Sequence, residues 1–244
     1  LQELVRALTP CVLEIDGEFA TEPRVDRTIC RIRRDTRFSH DKSLYRDNMW
    51  IIFKRGRMHG TEMPGLYFEI SERGFEYGCG YYAASASYMS AYRSLILAGD
   101  AAFERARRAF EHQKVYALTG GCYKRPHYPD QPEQLRAWLE RRQICFTAQS
   151  ADFPLLFSQG LADKLAEDFR LLAPIYRFLL RAAQVEPKKV RLIVSRPEAQ
   201  PKLVLVEGKK KGKPGLHFLP MLITHDENGG FTDEMRRIYG ETTT

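Results

Sequence analysis

The chain predicts an α+β fold: a mostly antiparallel sheet in a meander, covered by helices, with a C-terminal β-rich appendage. Three observations predict it. Period-two apolar alternation recurs over 27–33, 49–55, 65–70 and 75–82, with short connections between the last three runs. Apolar stripes at helical spacing lie on either side of this block. After Ala183 the composition shifts to short apolar runs punctuated by Pro187, Pro197, Pro201, Pro214 and Pro220. Two domains are therefore expected, 1–183 and 184–244.

In the first helical segment Leu1, Leu4, Val5, Leu8, Val12, Ile15 and Phe19 share one face. Pro10 either kinks this helix or opens a second one capped by Thr9. Because Leu1 stands in mid-pattern, the helix is expected to begin upstream. Thr28, Cys30 and Ile32 alternate with Arg27, Ile29, Arg31 and Arg33, which reads as a half-buried strand. Met49–Lys54, Gly65–Ile70 and Phe75–Tyr82 read as three further strands. Ser71-Glu72-Arg73-Gly74 is a hairpin turn in which Gly74 supplies the positive φ.

Helices are expected from Ser87 to Ala98, ended by Gly99, and from Ala101 to Lys114, capped by Asp100. Asp130-Gln131-Pro132-Glu133 signals the start of another, running through Arg142. Leu161, Leu165, Phe169, Leu172, Tyr176 and Leu179 make a core-facing stripe that Pro174 kinks or restarts. In the C-terminal part, Val190–Val194 and Leu203–Val206 are short strands. Gly208–Gly215 carries four lysines and reads as the tip of a basic hairpin spanning Leu203–Leu219. The tail 229–244 is expected to be peripheral.

Net charge is +7, from 38 Lys and Arg against 31 Asp and Glu. This favours anionic partners, although acids are interleaved nearly everywhere and no phosphate-tracking basic face is apparent. No run approaches the roughly 18 apolar residues of a membrane helix, so no membrane partner is expected. Cys11, Cys30, Cys79, Cys122 and Cys145 are scattered, with no Cys-x-x-Cys pair. That excludes the usual zinc and disulfide patterns and points to small apolar thiols in a reducing compartment, hence a cytoplasmic location. The six histidines have no metal-ligand spacing, so no metal is expected. No nucleophile elbow, P-loop, dinucleotide fingerprint or His-Glu-x-x-His is present, and neither a reaction nor a cofactor follows from the sequence.

The densest chemistry lies in Arg31–Arg46, where five arginines, one lysine, two aspartates, a histidine and a tyrosine fall in sixteen residues. Residues 34–48 lack periodicity. A connection of about 15 residues without structure of its own is often functional. The run Arg-Ile-x-Arg-Asp-Thr-Arg-Phe-Ser-x-Asp-Lys-x-x-Tyr-Arg resembles the signature of an uncharacterised family, Domain of Unknown Function 2461. Gly65–Ile70 with Gly78–Tyr82 is similar to that family's Tyr- and Gly-rich hairpin, Tyr123-Lys124-Arg125-Pro126 to its later Lys–Pro motif, and Phe169–Leu179 to its closing helix. The resemblance covers roughly 1–183. It departs from the family at Leu44, where proline is common, and in lacking an upstream Asn-Asn…Trp-Phe segment. It implies a fold and a shared site, and no reaction.

Arginine suits bidentate capture of phosphate or carboxylate. Arg34, Arg37, Lys42 and Arg46 are therefore candidates to converge on one anion. Asp35 and Asp41 would orient them or act as a base, and Tyr45 would donate to the anion. His40 ranks low. The expected ligand-binding cluster is Arg34, Arg37, Asp41, Lys42 and Tyr45. Two other readings stand beside this one. The charges form a structural ion network within a scaffold domain, or the chain binds nucleic acid through basic charge and exposed Trp50, Tyr67, Tyr81 or Tyr82. A pocket under the loop supports the first reading, closed Arg–Asp pairs without a cavity the second, and a basic groove with exposed aromatics the third.

Overall fold

A computed structural model describes all residues except 35, 36, 38–41, 60–62, 82, 184, 202, 211–215 and 241–244, together with the backbone but not the side chains of 185–188, 209 and 210. The chain divides into two compact units, Leu1–Ala183 and Gln184–Thr244.

The first unit is built on a five-stranded antiparallel sheet. Its strands are β1 (Asn48–Lys54), β2 (Gly65–Ser71), β3 (Gly74–Gly80), β4 (Ala117–Thr119) and β5 (Cys145–Ser150), in the order β1-β2-β3-β5-β4. The meander β1–β2–β3 is the one the alternation predicts. Ser71 pairs with Gly74 across the tight turn, and Gly74 has φ +127°. A side chain there would strike the Ser150 carbonyl of β5, so only glycine fits the turn and the neighbouring strand together.

β4 and β5 were not anticipated. The alternation that marks β5 is short, with Phe146 and Ala148 buried between half-exposed Cys145 and Thr147. β5 inserts between β3 and β4, so β3 is not an edge.

The predicted strand over 27–33 is corrected. Among the described residues it makes only isolated bridges, Ile29 to Val25 and to Ile51, and Arg33 to Tyr45. Its two halves have different partners. The Cys30 N–H donates to the Trp50 carbonyl and the Thr28 carbonyl accepts from Ile52 N–H on β1, whereas Arg34 and Arg46 N–H groups donate to Leu44 and Ile32. A ladder that changes partner within a few residues cannot continue as one strand.

α1 (Gln2–Ile15) runs unbroken through Pro10. Pro10 and Arg6, whose carbonyl the proline cannot bond, both lie on the exposed side, where water can serve that carbonyl. The Thr9 hydroxyl donates back to the Val5 carbonyl at 2.7 Å. α2 (Ala86–Leu97) is capped by Ser85 and α3 (Ala101–Glu111) by Asp100, which accepts from Ala102 N–H at 2.8 Å. α4 (Glu133–Leu139) is shorter than its start signal suggests. The Arg141 side chain is spent beyond its end, on the carbonyls of Gly120 and Leu118. After the short α5 (Phe153–Leu156), the long stripe splits into α6 (Gly160–Leu171) and α7 (Ala173–Ala183), with Pro174 in the first turn of α7.

The apolar faces of these helices and of the sheet form one core. Val5, Leu8, Ile51, Phe53, Leu66, Phe68, Phe146, Phe169, Tyr176 and Phe178 are within 1 % of full burial. The opposite sheet face carries half-exposed Trp50, Tyr67, Glu69 and Glu76. No helix among the described residues is long and apolar enough to cross a membrane.

The second unit contains β6 (Val185–Val194), β7 (Leu203–Lys210), β8 (His217–Phe218), β9 (Leu222–Ile223) and α8 (Asp233–Ile238). Here the predicted basic hairpin over Leu203–Leu219 is corrected. β7 pairs antiparallel with β6, while β8 and β9 pair parallel with β6, so the strands flanking the lysine run are not partners. β6 is the longest of the four and takes up neighbours along both edges, which leaves the hairpin to β6 and β7. Residues 211–215 lie outside the described residues. The expected peripheral tail instead carries α8. Thr232 caps it, and Arg191 holds Glu234 at 2.6 and 2.7 Å.

Candidate functional site: an arginine-lined cavity

The site is assembled where the chain leaves β1's edge. Residues 24–29 form a compact turn in which the Thr28 and Ile29 N–H groups both donate to the Arg24 carbonyl. Asp26 adopts φ +63°, a left-handed conformation that aspartate tolerates better than most residues. This turn aims the Asp26 carboxylate at Arg31, whose Nε and Nη2 donate to it at 2.5 to 2.8 Å. The Arg31 hydrogen bond, with a smaller contribution from His59, holds the Asp26 carboxyl below the usual carboxylate range. His59 Nε2 lies 3.7 Å from the same carboxylate, and its ring meets the edge of Trp50 with centroids 6.2 Å apart.

Beyond this turn the Arg33–Tyr45 bridge closes the base of the 34–44 loop. Around it opens a cavity of about 750 Å³, lined by Asp26, Cys30, Arg31, Arg33, Arg34, Arg37, Arg46, Trp50 and His59. Five arginines thus share one cavity with one carboxylate among the described residues, and Arg31 occupies that carboxylate. Arg34 also donates to the Ser43 hydroxyl at 3.0 Å. Among the described residues no carboxylate pairs with Arg33 or Arg46. Among the described residues the buried Nε of Arg46 has no hydrogen-bond partner, and leaving such a donor unmet is costly.

Of the residues anticipated from sequence, Arg34 and Arg37 line the cavity. Lys42 and Tyr45 are exposed and do not line it. Asp41 lies outside the described residues, as do Asp35 and His40. Sequence reasoning placed Arg46 among the converging cations but missed Asp26, Cys30, Arg31, Arg33 and His59. It assigned Arg31 and Arg33 to the outward face of a strand. Their nearness to the loop in sequence was the only available signal.

Cys30 does not supply an activated nucleophile. Burial pushes its thiol up, outweighing the Trp50 N–H at 3.1 Å and the Arg46 charge that act to lower it. Among the described residues no group of three or more His, Cys, Asp or Glu side chains is placed to hold a metal ion. Of the aromatics of the nucleic-acid reading, Tyr82 lies outside the described residues and Trp50 is half-exposed. Tyr81 is buried, and the Tyr67 hydroxyl is held between Thr147 at 3.0 Å and Glu76 at 3.2 Å.

The model of the conserved hypothetical protein family DUF2461 matches residues 1–178. The chain belongs to the DUF2461 family. The match takes in the whole cavity and ends within α7, so the second unit lies beyond the DUF2461 region. DUF2461 is a family of unknown function. No curated protein matches the chain.

Proposed function

We propose that the first unit binds a small phosphorylated or carboxylated molecule in the arginine cavity, with Arg33, Arg34, Arg37 and Arg46 as the anion-holding side chains. The observation that carries this reading is the buried, unpartnered Nε of Arg46 among four further arginines. Like charges gathered in one cavity repel, and partial burial strengthens the repulsion. A bound oxyanion would reverse the sign of that interaction and could accept from the Arg46 Nε. The cavity volume falls within the roughly 300–1,000 Å³ usual for small-molecule sites. Trp50 offers a flat apolar wall for the uncharged part of a ligand, and the Asp26–Arg31 pair forms part of the lining. The site's described groups support recognition of an anion.

The test is a thermal-shift screen against phosphorylated metabolites, nucleotides, dicarboxylates and oligonucleotides. A ligand at a hundredfold its Kd stabilises by about 2.7 kcal/mol, which corresponds to roughly 5–10 °C for a unit of this size. Binding to a pocketed small anion should weaken modestly with salt, whereas oligonucleotide binding would fall steeply. A melting temperature that no anion moves sinks the reading.

We read the second unit as an appendage that the first does not need for folding, since it has its own sheet and lies outside the family match. A chain ending at Ala183 is expected to give native-like circular dichroism and a cooperative melt. Loss of that melt would end the appendage reading. A cytoplasmic location is supported by five cysteines that are all free thiols, three of them buried.

A further inference from the structure

We infer a second anion site on the first unit, in a cleft of about 330 Å³ between α3 and α7. Arg105, Arg108 and Arg177 line it, over a floor of Ala102 and Pro174. It accepts a compact, multiply charged oxyanion of about the size of pyrophosphate.

The argument begins with the helix faces. Arg105 and Arg108 are three residues apart on α3 and so project on one side of it. Arg177 projects from α7, which packs against α3 through the ring pair Phe103–Phe178, centroids 5.3 Å apart. The neighbouring charges are already committed. Asp100 caps α3 and accepts from Arg181 at 2.5 and 2.9 Å. Glu104 and Glu111 both accept from Arg107 at 2.9 and 2.6 Å, so the carboxylates of α3 are spent on an arginine that does not line the cleft. Among the described residues none of Arg105, Arg108 and Arg177 makes an ion pair. Three arginines therefore line one cleft without an ion-pair partner among the described residues, an arrangement of like charges that a polyanion neutralises.

The size of the cleft selects the ligand. At about 30 Å³ for each water, it holds roughly ten waters, enough for a diphosphate or a small organic phosphate. The small, rigid floor residues allow close approach and offer no acceptor of their own. This inference does not depend on the larger cavity, whose lining shares no residue with it.

The test is isothermal titration of the full chain with inorganic pyrophosphate, repeated on Arg105→Ala/Arg177→Ala and on Arg33→Ala/Arg46→Ala. Arg105 and Arg177 are exposed, so the first variant should melt as wild type does. The expected result is a binding event that survives in Arg33→Ala/Arg46→Ala and weakens by about ten- to a hundredfold in Arg105→Ala/Arg177→Ala. The lysine variant Arg105→Lys/Arg177→Lys keeps the charge and should retain most of the affinity. Absence of pyrophosphate binding in the wild type at millimolar concentration would overturn the inference. So would binding unchanged within twofold in Arg105→Ala/Arg177→Ala. Loss in the Arg33→Ala/Arg46→Ala variant alone would assign the event to the larger cavity and equally remove the second site.

Discussion

Replacing Asp16 by alanine is expected to destabilise the first unit by about 3–5 kcal/mol. Asp16 ends α1, and its side chain is only 4 % exposed. Arg55, just past β1, donates to it from Nε at 2.6 Å and from Nη2 at 2.8 Å. The hydroxyl of fully buried Tyr176 on α7 donates to it as well, and so does its own neighbour's Glu18 N–H at 3.0 Å. One carboxylate therefore ties α1, the end of β1 and α7 together. Alanine would leave a buried phenol with no acceptor and a mostly buried guanidinium with only exposed Glu18, 2.7 Å from its Nη1, and a charge stripped of its buried partner costs more than the pair contributes. At roughly 2–4 °C per kcal/mol, the melting temperature should fall by about 6–20 °C.

The same carboxylate sets a pH dependence. Burial pushes the Asp16 carboxyl up, but the Arg55, Tyr176 and Glu18 hydrogen bonds override it, and the net effect holds it below its ordinary value. A folded pKa below the unfolded value of about 3.9 means the stabilisation is fully present above that unfolded value. It is lost as pH falls through the folded pKa. Urea melts at neutral pH and near pH 3 should show the wild type converging on Asp16→Ala in acid. A constant gap between the two at both pH values would contradict this account.

Replacing Arg46 by alanine is expected to separate binding from stability in the opposite direction. Among the described residues its buried Nε has no partner, and it shares the cavity with four other arginines, so keeping it carries a cost. The melting temperature of the variant should equal or exceed that of wild type. Affinity for the anion should fall by about ten- to a hundredfold, as expected for the loss of a charge-assisted hydrogen bond of about 1.5–3 kcal/mol. If Arg46 belonged to a closed structural network, its removal would instead lower the melting temperature.

The difference between these two residues also explains what the sequence could reveal. The sheet meander was legible because Leu66, Phe68 and Phe75 alternate with polar neighbours and because Gly74 can serve only a turn. Asp100 announced α3 because a cap is a local, short-range device. β5 was missed because its buried residues, Phe146 and Ala148, are too few to establish a period. The run 27–33 misled because alternation cannot report that Cys30 bonds to β1 while Arg34 bonds to Leu44.

The site was half legible for the same reason. The composition of Arg31–Arg46 marks the place. Which side chains reach the cavity depends on the Asp26 turn and the Arg33–Tyr45 bridge, both set by tertiary pairing. Lys42 and Tyr45 sit in the densest part of the motif yet are exposed and do not line the cavity. His59 lies 33 residues from Asp26 in sequence and meets it only in the fold.

The most direct measurement is a paired titration, using the anion that most raises the melting temperature in the screen, of wild type, Arg46→Ala and Lys42→Ala. Arg46 lines the cavity and Lys42 does not. An anion held in the cavity predicts a loss of about ten- to a hundredfold for Arg46→Ala and near-wild-type affinity for Lys42→Ala, with both variants folded. Equal losses in the two variants, or a larger loss in Lys42→Ala, would place the anion on the loop's outer surface and contradict the account.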